Sequence, residues 1–153
     1  MQDYFILDEQ IENISNKNSE ECIREAIACF NNGNYRASVA VLYTAIIFDL
    51  LQKVVELSEI YHDKSAASII ENIKKSQKQN PKSPEWEATL IAEIEKKTHL
   101  ITPYETATLL QIKQERNYAA HPIISFDSDD NSVKLKNITK ETAKDLIRKA
   151  FEI

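Results

Sequence analysis

Residues 115 to 122 read E-R-N-Y-A-A-H-P. The stretch sets a permanent cation, Arg116, five residues ahead of an imidazole, His121, with Asn117 directly after the Arg and Pro122 directly after the His. A guanidinium stays charged and presents five N–H donors in a planar fork, so Arg116 is suited to receiving an anion. A plainer reading exists. Residues before proline avoid the α region, which puts His121 near a helix end. Cations there suit the helix dipole, so both residues could be end decoration.

Position on the helix weighs against decoration. Counting about 100° per residue, Arg116 falls among Leu109, Ile112, Ala119 and Ala120 rather than on the Lys/Gln/Glu side. A cation on an apolar, small-residue stripe needs a compensating partner. Either a groove or interface that receives an anion or a buried carboxylate would supply it. In an ideal helix Arg116 and His121 stand about 140° apart, and the break at Pro122 gives the last turn room to bring them together.

The elements that must carry this stretch are helical. One Gly in 153 residues leaves almost no supply for hairpin turns or phosphate-cradling loops, and Ala, Ile, Leu, Glu and Lys are abundant. A first segment, Tyr4 to Ile14, has helical spacing. Asn18 with Glu21, or Ser19 with the acids behind it, marks the next start, and N-N-G-N with Gly33 marks its stop. From Tyr35 to about Tyr61, the residues Val39, Tyr43, Ile46, Leu50, Val54 and Leu57 recur at threes and fours, predicting a long central helix that is apolar on more than one face.

Asp63 caps a further helix, expected to fade into the polar K-K-S-Q-K-Q-N-P-K. Ser83-Pro84-Glu85 marks another start, with Trp86, Leu90, Ile91 and Ile94 on its buried face. Thr102-Pro103-Tyr104-Glu105 is a capping box that opens the helix leading into the Arg116 stretch. Ile123 to Leu135 reads as a small hairpin or ordered loop around D-S-D-D-N, and Thr139 caps a final amphipathic helix. The fold class is thus all-α: an up-and-down bundle of about five or six helices, forming one domain over residues 1–153. The ending F-E-I suits either a compact C-terminus or a piece of a longer protein.

Net charge is −5, which counts against a protein that coats nucleic acid by bulk attraction and leaves room for one local basic site. No apolar run is read as membrane-spanning, and the first residues carry acids where a signal peptide would be basic, so a cytoplasmic protein without a membrane partner is expected. Cys22 and Cys29, seven apart, sit roughly 10 Å from each other on a helix, too far for a disulfide, and read as buried reduced thiols. No metal or cofactor is expected: there is no H-E-x-x-H or Cys/His cluster, and D-S-D-D-N lacks the Gly and distal Glu of a calcium loop.

R-N-Y-A-A-H resembles the R-x-x-x-x-H signature of HEPN domains, the helical-bundle ribonucleases and their inactive relatives. The likeness includes the polar residue after the Arg, here Asn117, and a G-N-Y-R-A-S-V-A-V-L-Y-T-A turn-and-helix ahead of a variable middle. The middle and the segment after Pro122 have no assigned counterpart. The resemblance implies metal-independent RNA cleavage by the ribose 2′-OH. His121 would move protons, Arg116 would meet the phosphate, and Asn117 would orient one or the other. Asp49 is similar to an acidic residue that some members bring near the motif; equally, it could pair with Lys53 one turn on.

One His per chain is short for two proton transfers, and the family answers this with a homodimer whose motifs face each other. Toxins, anti-phage effectors and tRNA targets occur in the family, as do silent modules that bind an antitoxin or a nucleotidyltransferase. Apart from the resemblance, a helical adaptor in which R…HP is accidental is the rival. His62 and His99 read as structural or exposed, Tyr118 as packing on the side opposite Arg116, and Trp86 as a core anchor.

Overall fold

A computed structural model describes residues 17–82, 85–120, 124–126, 132–135 and 137–151. The expected helix at Tyr4 to Ile14, the Ser83-Pro84 start and His121 lie outside them. Six helices and two short strands are described: α1 (Lys17–Asn31), α2 (Tyr35–Glu59), α3 (Lys64–Gln79), α4 (Glu85–Lys97), α5 (Pro103–Ala120), β1 (Ile124–Phe126), β2 (Val133–Leu135) and α6 (Lys140–Ala150). The all-α bundle read from the sequence is the fold observed. The chain forms two compact units: residues 1–46 with 109–153, and residues 47–108.

In the first unit, α1 buries Ile23, Ala26, Ile27 and Phe30 and packs against α6, which buries Ala143, Leu146 and Ile147. Helix α1 is already under way at Lys17, and Ser19 is buried within it instead of capping it. It stops as its sequence predicts. Gly33 takes φ +80°, its N–H donates to the Phe30 carbonyl at 3.0 Å, and Asn34 N–H donates to the Cys29 carbonyl at 2.8 Å. Those two bonds are the 5→2 and 6→1 pair of a Schellman stop. Across that turn the Phe30 and Tyr35 rings stand 5.5 Å apart, and Ser38 donates its hydroxyl to the Ala26 carbonyl at 2.7 Å.

Val39, Leu42, Tyr43, Ala45 and Ile46 of α2, with Leu109 and Ile112 of α5, are buried in the same unit. Its hairpin pairs β1 and β2 antiparallel, Ile124 with Leu135 and Phe126 with Val133. Thr139 caps α6 as expected, its hydroxyl accepting from Thr142 N–H at 3.1 Å.

In the second unit, α3 packs against α4, burying Ala66, Ile69 and Ile73 with Leu90, Ile91 and Ile94. Asp63 caps α3, accepting from Ala66 N–H at 2.9 Å. The helix then runs on through the Lys/Gln-rich stretch expected to be loop, because Lys and Gln are good helix formers. Pro81 stops it: Asn80, directly before, leaves the α region at φ −145° and ψ 75°. Asn72 donates to Glu93 at 2.9 Å and Lys97 pairs with the same carboxylate at 3.2 Å.

Helix α2 ends at Glu59, two residues before the expected Tyr61. The turn behind it holds His62 in the left-handed region at φ 54°, where a glycine would rest without strain. By length and composition α2 meets the criterion for a membrane span, contrary to the expectation of no such run. Half of its most apolar window is buried inside the protein, and burial on several sides accounts for that composition in a core helix.

A candidate site at the C-terminal end of α5

Helix α5 is closed at its start by its own residues. Thr102 N–H donates to the Glu105 carboxylate and Glu105 N–H donates to the Thr102 hydroxyl, both at 3.2 Å. This is the reciprocal capping box that the sequence predicts. Leu109 and Ile112 then bury the inner face, and Arg116 follows one turn later on that side.

Arg116 is half-buried, with its guanidinium carbon 4.6 Å from the centre of the Tyr43 ring. Tyr43 itself is only 2% exposed. A cation over an aromatic face gains from about 0.5 to 2 kcal/mol, more as water is excluded. The Tyr43 ring is therefore a reason for Arg116's position that the sequence did not reveal. Residue type and spacing point only to an anion or a carboxylate as its partner. Tyr43 and Arg116 are 73 residues apart, and no local spacing links them.

Around Arg116 the surface opens. Asn117 and Ala120 are exposed and Ala119 is half-buried. Tyr118 is half-buried rather than core, and its hydroxyl accepts from Gln114 Nε2 at 2.7 Å. Ala120 is the last residue of the helix, so His121 is covalently next. Asp49 forms a 2.8 Å ion pair with Lys53 along its own helix. That is the local pairing weighed as the alternative to a place near the motif.

The residue that sequence reading missed is Arg36. Its Nη1 donates to the backbone carbonyls of Tyr118 at 3.2 Å and Ala119 at 3.4 Å, and its Nη2 donates to Asn137 Oδ1 at 3.3 Å. The last carbonyls of a helix carry its negative end, so a guanidinium there is favourable. One signal could have found it. Arg36 lies in the first turn of α2, which has no acidic residue, where a cation opposes that helix's own dipole. Such a cation needs compensation from elsewhere. Beside it is a cavity of about 430 Å³, lined by Asn34, Tyr35, Arg36, Asn137 and Ile138 among others.

The two thiols, Cys22 and Cys29, are free and half-buried. Burial, and then Glu25 and Glu21, push the Cys22 thiol above its ordinary pKa. A raised pKa keeps it protonated at neutral pH and poorly nucleophilic. Among the described residues, no group of three or more His, Cys, Asp or Glu side chains is placed to hold a metal ion.

Comparison with protein-family models, with curated proteins and with solved structures found no match.

Proposed function

We propose that this chain is a metal-independent endoribonuclease of the HEPN type, working in the cytoplasm as a homodimer. The observation that carries the reading is Arg116. A permanently charged guanidinium stands near the end of α5 against the Tyr43 ring, with His121 covalently next after the helix. The helical fold around it is of the class that the R-x-x-x-x-H resemblance implies.

The chemistry is the one that the resemblance implies. The ribose 2′-oxygen attacks the adjacent phosphorus, forming the O2′–P bond, and the P–O5′ bond breaks. The 2′-OH proton goes to a base and the leaving 5′-oxygen takes a proton from an acid. The products are a 2′,3′-cyclic phosphate and a 5′-OH. His121 of one copy and His121 of the other fill the two proton-transfer roles. Arg116 meets the phosphate with its N–H edges, a use compatible with a ring against its face. Exposed Asn117 and Ala120 leave room for a second copy at this helix end. DNA lacks the 2′-OH and would not be cut. tRNA as target, and toxin or anti-phage work as setting, follow from the resemblance alone.

The test is RNA cleavage in excess chelator by the wild type, His121→Ala and Arg116→Ala, with melting temperatures recorded beside it. Metal-free cutting is expected, with both variants at least ~10²-fold slower. Equal rates in wild type and variants would end the nuclease reading. A second reading has an observation of its own. The Tyr43 contact gives Arg116 a structural reason to be where it is, as a silent module that binds an antitoxin or a nucleotidyltransferase would need. In that case Arg116→Ala lowers the melting temperature, and the wild type cuts no RNA.

A further inference from the structure

The chain leaves α5 at Ala120 and returns through Asn137 to α6, and the excursion between carries His121 and the β1–β2 hairpin. One guanidinium touches both feet of that excursion. Arg36 holds the Tyr118 and Ala119 carbonyls on the outgoing side and the Asn137 side-chain oxygen on the returning side. We propose that Arg36 is a positioning residue for the C-terminal end of α5: it holds the carbonyls from which the chain continues to His121 and ties Asn137, on the returning side, to that end. The assignment rests on the endoribonuclease reading for its catalytic consequence, and on geometry alone for its structural one.

The physical case is the match between donor and acceptors. Arg36 starts a helix and would be disfavoured there by that helix's dipole, yet it is set against the negative end of another. Its two terminal nitrogens divide the work, Nη1 to the α5 carbonyls and Nη2 to Asn137. A lysine, a single point charge, cannot hold both sides in the same planar geometry. Removing the clasp leaves the last carbonyls of α5 to water and unties that helix end from Asn137.

Two measurements separate this from the parent reading. The chain has three histidines, His62, His99 and His121, whose imidazole carbon-bound proton signals can be assigned by single His→Ala variants. Arg36→Ala is expected to shift the His121 signal and leave the other two in place. Arg36→Lys should fall between, and Asn137→Ala should move the same signal by less. If the His121 signal of Arg36→Ala superimposes on the wild type, the proposal is overturned. Should that variant fail to fold, an unmoved His121 signal in Asn137→Ala overturns it instead.

In the cleavage assay Arg36→Ala should lower kcat roughly 10- to 100-fold, the scale of a misplaced catalytic group. KM should change by less than ~2-fold, since binding is not what the clasp supplies. A raised KM at unchanged kcat would make Arg36 an RNA contact and overturn the positioning role. A wild type that cuts no RNA ends the nuclease reading, while the histidine signals still decide Arg36.

Discussion

The two ends of α5 are closed by different means. At its start Thr102 and Glu105, three residues apart, satisfy each other's N–H groups. At its end the carbonyls of Tyr118 and Ala119 are met by Arg36, more than eighty residues earlier in the chain. The first device forms wherever its four residues form a turn. The second requires the fold to be complete. A helix end of the first kind is a matter of local propensity, and one of the second kind reports on tertiary structure. The end that depends on tertiary structure is the end that leads into His121.

Three substitutions press on this contrast, beginning with the largest effect. Gly33→Ala should cost about 1–2 kcal/mol, because only the backbone strain of the left-handed region is at issue. A Cβ there would meet nothing within 4 Å, so steric crowding adds no further cost. Urea unfolding measures it, and a neutral result would mean that α1 does not rely on its local stop. Thr102→Ala should cost about 1 kcal/mol through loss of one half of the capping box. Its kcat in the cleavage assay should stay at the wild-type value, in contrast to Arg36→Ala. A kcat loss as large as that of Arg36→Ala would erase the distinction between the two ends of α5.

The smallest effect is a gain. His62 stands exposed at φ 54° behind α2, and His62→Gly should raise stability by up to about 1 kcal/mol as strain relief outweighs added chain entropy. A lower melting temperature in that variant would show that the imidazole holds its turn by contacts that outweigh the strain.

The same division explains what could be read in the sequence. Gly33, Asp63, the Thr102/Glu105 pair and Thr139 each act within about four residues, so residue type and spacing were enough to place them. The stripe on α2 announced a core helix because five of its six named positions are buried, Leu57 being half-exposed. The alternative pairing of Asp49 with Lys53 is a one-turn contact, and it is the one observed. Even the continuation of α3 to Gln79 was within reach, since Pro81 is a firmer stop than a run of Lys and Gln.

What was not legible is non-local. Arg116 stands out in the sequence as a cation on an apolar stripe, but the Tyr43 ring against it comes from another helix. Arg36 sits inside the turn-and-helix signature, and only its misfit with its own helix dipole sets it apart in the sequence. The site was half-legible for that reason: the sequence shows which cation is out of place, and only the fold shows what it rests on.

Trp86, half-buried near the start of α4, is the chain's one tryptophan and belongs to the 47–108 unit. Its emission is therefore an optical marker for that unit alone. Cys22, in the other unit, can take a thiol-reactive dye under alkaline labelling. Two spectral channels in one cuvette then follow the two halves of the chain through the same denaturant ramp. Coincident midpoints would mean one cooperative transition.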